Sequence, residues 1–197
     1  MKLSKLVTES ENNGDTFQMY HGGKRWSRLP EEIIGGTKGR YEAGVGIYFT
    51  TDYNRARTYA KGPKVVQIAN IDKNYKDIKS VNLPINEVVS FVKSISGMKK
   101  KNEIISDLKR NAERMNRDFV DATVLNNLVV NWEAGSGRPG IEIANYLVSK
   151  GGDAYLERQG SDEYWLVVFN PKIIKSVSVV DPKKVTSDFA FQLPVPR

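Results

Sequence analysis

The chain has 197 residues, of which 40% are hydrophobic, 27% charged and 10% aromatic, a composition that suits one globular domain, or one domain carrying an insertion, rather than a disordered tail. Thirty Lys and Arg against 23 Asp and Glu leave a net charge of +7, which favours an anionic ligand or a polyanion such as nucleic acid. The absence of cysteine excludes disulfides, thiol nucleophiles and zinc-thiolate sites, and the single histidine excludes a multi-His centre, so no metal cofactor is expected. No apolar run reaches bilayer length and Met1 to Asp15 lacks the apolar core of a signal peptide; the expected location is cytoplasmic, with no membrane partner.

Met1 to Asp15 is polar and reads as a flexible N-terminal arm, with a single domain following from Thr16 to Arg197. Phe17 to Tyr20 predicts a short strand running into His21-Gly22-Gly23. Leu29 to Glu42, broken by Pro30, Gly35-Gly36 and Gly39, reads as one short helix or turn within a mobile loop. Gly46 to Thr50 predicts a second strand, after which Thr51 or Asp52 caps a helix from Tyr53 to about Ala60, stopped by Gly62-Pro63. Lys64 to Ala69 is a third strand, and Asn70 to Ser80 a polar connection.

The centre then changes character. Ile85 to Ser96 and Lys100 to Met115 carry helical spacing, the second through Ile104, Ile105, Leu108, Ala112 and Met115. Val120 to Trp132 and Ile141 to Lys150 predict two more helices, with Gly151-Gly152 ending the last. Strands return at Ala154 to Glu157, Glu163 to Phe169 and Ser176 to Val180. Strands, then helices, then strands predict an α+β fold of mostly antiparallel pairing, with a helical insertion over about 85–150. The run Lys99-Lys100-Lys101 with Lys109, Arg110, Arg114 and Arg117 reads most simply as the solvated face of amphipathic helices, and otherwise as a nucleic-acid groove.

Three segments carry residues with chemical potential: Tyr20-His21-Gly22-Gly23; Gly44-Val45-Gly46-Ile47-Tyr48-Phe49 with Tyr59 eleven residues after Tyr48; and Asp162-Glu163-Tyr164-Trp165. Singly each has a plain structural reading, as a strand-end histidine, core tyrosines and a solvated hairpin glutamate. In this order they resemble the His-Tyr-Glu branch of the ADP-ribosyltransferase superfamily, the branch of diphtheria toxin and the poly(ADP-ribose) polymerases. In that branch a strand ends in His-Gly, a second contains Gly-(any)-Gly-Ile-Tyr-Phe before a helix bearing another tyrosine, and a late strand opens with Glu-Tyr. The segment from Val168 to Pro171 and Lys175-Ser176-Val177 are similar to the strand endings of such domains in phage and mobile-element polyproteins. The likeness spans about Phe17 to Val180, without the helical centre.

The resemblance implies a split antiparallel sheet, NAD+ as co-substrate, and a catalytic triad of His21, Tyr48 and Glu163. By it Glu163 bonds the 2'-hydroxyl of the nicotinamide ribose, His21 orients the sugar, Tyr48 and Tyr59 stack on the nicotinamide ring, and the backbone of Gly22 meets its amide. Cleavage next to the ring nitrogen builds positive charge on the ribose, which is why a carboxylate beside it is required. Where polymerases of this branch carry a small hydroxyl residue three positions before the second tyrosine, this chain has Ala56, which leaves amide recognition to Gly22, Thr58 or a water. Arg25, with Lys24 and Arg40, is the sequence's candidate for the pyrophosphate.

The size and the lack of a regulatory domain resemble mono-ADP-ribosyltransferases, often bacterial or phage toxins. That subclass implies a macromolecular acceptor and, as a further partner, an immunity protein or antitoxin. The charge of +7 favours nucleic acid, RNA or DNA, over protein as the acceptor. Two other readings compete: a non-catalytic basic nucleic-acid-binding or phage structural domain with an inherited fold, and an NAD+-dependent RNA 2'-phosphotransferase, which relies on more than one histidine.

Overall fold

The protein is described from a computed structural model over residues 15–33, 42–160 and 162–185. The expected arm, the larger part of the Leu29 to Glu42 loop, and the C-terminal residues beyond 185 lie outside the described residues. Residues 29–33 of that loop form no helix.

Strands β1 (Thr16–Gly23), β2 (Ile47–Thr50) and β3 (Val65–Asp72) come first, with helix α1 (Tyr53–Tyr59) after β2. The centre carries α2 (Ile85–Ser94), α3 (Lys101–Arg114), α4 (Ala122–Asn131) and α5 (Arg138–Ser149). Two short strands, β4 (Asn82–Pro84) and β5 (Phe119–Asp121), pair within it. Strands β6 (Ala154–Arg158), β7 (Tyr164–Val168) and β8 (Ile174–Val179) close the order. The result is a mixed α+β architecture whose main sheet runs β6-β7-β2-β1-β3-β8 with every neighbouring pair antiparallel.

Strand β1 pairs with β3 along eight residues, but it meets β2 through the single pair Tyr20 and Thr50. The central sheet is therefore weakly laced between β1 and β2, where His21 and Tyr48 stand. Side-chain alternation divides β7 between two cores. Leu166 and Val168 pack with Phe17, Met19, Phe49 and Ile71 on one side, while Val167 joins the helical core of Ile104, Leu108, Leu125 and Leu147 on the other. Tyr155 and Phe169 belong to the helical core too, so the central helices form one layer packed on the sheet.

Several boundaries differ from those expected. Strand β3 runs on to Asp72 because β1 and β8 both pair with that stretch, and its polar side chains are matched there: Asn70 Nδ2 donates to Ser176 Oγ at 2.6 Å and Lys175 Nζ meets Asp72 at 2.9 Å. The segment Phe119–Asp121 is a strand and not the start of a helix, since β4 offers it a partner. Helix α5 starts at Arg138 because Pro139 fits the first turn, where no amide hydrogen is needed. Met115 is half exposed and falls outside the core, being the cap residue after α3.

The basic face of α3 is partly satisfied within the molecule. Lys100 pairs with Glu103 at 3.2 Å and Arg110 with Asp107 at 3.2 Å. Lys101 Nζ donates to the carbonyls of Lys93 (2.9 Å) and Ile95, closing the open C-terminus of α2. The helical layer depends on apolar burial, and Leu108 is fully enclosed in it. Leu108→Ala is expected to lower unfolding free energy by about 2–5 kcal/mol, read from the shift of the urea midpoint at unchanged slope.

Candidate active site

Residues from β1, β2, α1 and β7 converge on a cleft of about 340 Å³, lined by Tyr20, His21, Gly22, Glu42, Gly46, Tyr48, Phe49, Thr50, Arg55, Ala56, Tyr59 and Trp165. The cleft forms where α1 lies across the end of β1. Asp52 starts that helix, its carboxylate accepting from Asn54 N (2.7 Å) and Arg55 N (3.2 Å). A Cβ built on Gly22 would fall 1.8 Å from the carbonyl oxygen of Ala56, so backbone meets backbone there and glycine is the one residue that fits.

His21 is held by its surroundings in one protonation state. Its Nδ1 lies 2.9 Å from the carbonyl oxygen of Tyr48; a carbonyl can only accept, so Nδ1 carries the proton. Trp26 stacks on the imidazole at 4.5 Å, and Phe49 tilts against it at 5.6 Å. Burial pushes the His21 pKa below the ordinary value of 6.5, against a smaller opposing effect of the Tyr48 hydrogen bond. The ring is neutral at pH 7 with a lone pair on Nε2. A Cβ on Gly23 would stand 2.7 Å from that nitrogen, and glycine leaves the space clear. Trp26 is fixed over the ring by buried Gln67, which accepts from Trp26 N (2.9 Å) and donates to Lys24 O (3.0 Å).

Tyr48 presents its ring to the cleft while its hydroxyl ties down the preceding turn, donating to Gly44 O at 2.6 Å and accepting from Ala43 N at 3.1 Å. Asn126, buried on α4, donates to Ala43 O at 3.0 Å. Gly44 has φ of +111°, and its Cβ would lie 2.2 Å from Asn126 Oδ1, so torsion and space both require glycine. The helical centre thus reaches the wall of the cleft through Asn126. Trp165 meets the Tyr48 ring edge-on at 6.3 Å.

Glu163, just before β7, does not itself line the cleft but bonds three residues that do. Its carboxylate accepts from Trp165 Nε1 (2.6 Å), Thr50 Oγ1 (3.1 Å) and Arg55 Nε (3.3 Å). Thr51 anchors the same hairpin, accepting from Tyr164 N at 3.0 Å. The Glu163 side chain is 14% exposed and that of Arg55 47%.

Of the residues singled out in the sequence, His21, Gly22, Tyr48 and Tyr59 line the cleft and Glu163 sits in contact with its wall. Tyr59 is 55% exposed, so one side of the cleft is open to solvent. Arg25 is exposed on the segment after β1 and is not in the lining, and the Thr58 hydroxyl donates back to Arg55 O at 2.7 Å, along its own helix. Ala56 is buried beneath Gly22. Arg40 lies outside the described residues. The sequence did not point to Trp26, Gln67, Arg55 or Asn126, whose parts follow from pairings across 25 or more positions; Trp165 stood in the third segment without a role, which its bond to Glu163, two residues away, supplies. Among the described residues no group of three or more His, Asp or Glu gathers to hold a metal, and no helix is long and apolar enough to cross a membrane.

Two expectations follow from this packing. Gly22→Ala forces α1 off the sheet and is expected to cost at least about 3 kcal/mol of stability or prevent folding, seen as loss of a cooperative thermal transition. The unfolded chain takes up a proton at the ordinary imidazole pKa of 6.5 whereas folded His21 resists it, so stability present above pH 6.5 is lost as pH falls through the depressed folded pKa. Because the chain has one histidine, denaturant melts between about pH 7 and pH 5 should show this slope in the wild type and a flatter one in His21→Asn.

No protein-family model, curated protein or solved structure matches this chain.

Proposed function

We propose that the cleft binds NAD+ and that the protein transfers ADP-ribose from it to a macromolecular acceptor, as a mono-ADP-ribosyltransferase of the His-Tyr-Glu kind. The observation that carries this reading is the gathering of His21, Gly22, Tyr48 and Tyr59 around one cleft, with Glu163 bonded to its wall, from segments up to 142 positions apart in the chain. The weak lacing between β1 and β2 supports the split antiparallel sheet of that superfamily.

The residues fit the chemistry of the dinucleotide. Neutral His21 offers Nε2 as an acceptor to a ribose hydroxyl. The Tyr48 and Tyr59 rings supply aromatic faces to a planar cationic ring, which gains an electrostatic component from stacking. Gly22 lets a planar amide approach the backbone, and Ala56, with no polar group, adds no second contact. Among the described residues Arg55 is the cation in the lining, and it compensates the phosphate charge in place of Arg25.

In the reaction the bond between ribose C1' and the ring nitrogen breaks, its electron pair leaves with neutral nicotinamide, and a lone pair of the acceptor forms the new bond to C1' as the acceptor loses a proton. Glu163 stabilises the positive charge that the sugar acquires on the way, an interaction stronger in the transition state than in the ground state. A bacterial or phage effector is the setting that fits a domain of this kind, and an antitoxin or immunity protein is the partner it calls for. Nucleic acid ranks ahead of protein as acceptor on the charge of +7. With Lys100, Lys101 and Arg110 engaged locally, the exposed cations Lys99, Lys109, Arg114 and Arg117 of this run remain to face a phosphate backbone.

The test is incubation with NAD+ labelled in the adenylate, in the presence of separate pools of RNA, DNA and cell protein, with free nicotinamide measured by chromatography. Nicotinamide release and label on one pool are expected. Glu163→Gln should keep NAD+ affinity by calorimetry yet lose transfer by about 100-fold or more, the scale of one preorganised electrostatic contact. Absence of both NAD+ binding and nicotinamide under every acceptor condition leaves the basic binding domain as the better reading.

A further inference from the structure

The carboxylate of Glu163 is bonded unevenly. Oε1 accepts from Trp165 Nε1 at 2.6 Å, Thr50 Oγ1 at 3.1 Å and Arg55 Nε at 3.3 Å, whereas Oε2 has one long contact among the described residues, Arg55 Nη2 at 3.5 Å. A carboxylate oxygen offers about two lone-pair directions, so three donors saturate Oε1 and leave Oε2 with accepting capacity. The donors belong to three elements, β2, α1 and β7, and all three residues line the cleft. Rotation of the carboxylate away from this arrangement breaks bonds to each of them.

The balance between charge and geometry decides what Arg55 does here. Its guanidinium is about half exposed, so its Coulomb effect on Glu163 is strongly screened by water. The fork of Nε and Nη2 across both carboxylate oxygens keeps its directional value, because a guanidinium presents its donors in a fixed plane. Trp165 adds the shortest of the bonds, 2.6 Å from a buried indole whose N–H makes no other hydrogen bond among the described residues.

We propose that Arg55 and Trp165 are positioning residues that lock Oε1 of Glu163 and hold Oε2 free for the ribose hydroxyl. The assignment rests on the NAD+ reading of the cleft and goes beyond it by naming the residues that make Glu163 competent. Neither residue meets the reacting atoms; both act through the carboxylate. Arg55 therefore has two duties, compensating phosphate charge through its outward donors and steering the glutamate through its inner ones, and the second is the one tested here.

The experiment is steady-state nicotinamide release by purified full-length protein, with kcat and KM separated, for wild type, R55K, R55Q and W165F, and for R55Q placed in the Glu163→Gln background. W165F is expected to lower kcat by about 10- to 100-fold with KM within about three-fold of wild type; R55Q should lower kcat by a similar factor and also raise KM through the lost phosphate contact, and R55K, which keeps the charge but not the fork, should hold KM near wild type with kcat between R55Q and wild type. In the Glu163→Gln background R55Q should lower kcat by less than about two-fold further, because the group it positions has already lost its function. Arg55 is exposed enough that R55K and R55Q should keep the wild-type melting curve, which separates a positioning effect from loss of fold. Variants within about three-fold of wild-type kcat overturn the proposal, as does a rise in KM alone or an equal loss in both backgrounds. Wild-type protein that releases no nicotinamide overturns the NAD+ reading and this assignment with it; an active wild type with unaffected Arg55 and Trp165 variants overturns this assignment alone.

Discussion

The absence of a side chain at Gly22 is the constraint on which the site's architecture rests. Helix α1 crosses the end of β1 so closely that the carbonyl of Ala56 occupies the place where a Cβ would be. That contact fixes how far α1 stands from the sheet, and with it the reach of every side chain the helix sends towards the cleft. Arg55 and Tyr59 flank Ala56 on that helix, so their distances from Glu163 and from Tyr48 are set by a backbone-to-backbone contact, which is stiffer than any arrangement of rotamers. Thr50 and Thr51 carry the same placement to the β6-β7 hairpin through Glu163 and Tyr164.

Around this frame the charges are arranged economically. The histidine is kept neutral by burial beneath Trp26, the glutamate is enclosed by three donors, and one guanidinium bridges from the helix to that glutamate. The proposed NAD+ reading sets a neutral acceptor and an anionic one about the ribose, which suits a sugar that is uncharged at rest and cationic during the proposed reaction. The segment after β1 matters more than its exposed lysine and arginines suggest, since Gln67 binds its backbone and holds Trp26 in place.

Much of the fold was legible because it rests on local rules. The spacing of Ile104, Ile105 and Leu108, the cap at Asp52, and the glycine stops are written into short windows of sequence, and the corresponding elements formed within a few residues of their expected ends. The β4-β5 pair was not legible, because strands of three residues have no periodicity to read and exist through each other. At the site, the cleft-lining His21, Gly22, Tyr48 and Tyr59 could be picked out by residue type and order. Their supports could not: Gln67 looks like a polar residue in an ordinary strand, and Arg55 like a solvated helix cation, until register and helix placement bring each to its partner. Lys24 and Arg25, close to His21 in sequence, drew attention for their charge, yet among the described residues the cation lining the cleft comes from the helix.

Asn126 joins the two halves of the molecule in a way that bears on how such a domain can be altered. Its amide holds the turn at Ala43 and Gly44, and Tyr48 holds the same turn from the sheet side. Excising the helical centre to obtain a minimal domain would strip the carbonyl of Ala43 of its partner and uncover Val45, Val167 and Phe169, all of which are buried against those helices. The helices are thus a buttress and not a cargo: swapping them for a different module requires a replacement that presents an amide at the position of Asn126 and an apolar surface of matching shape beside it.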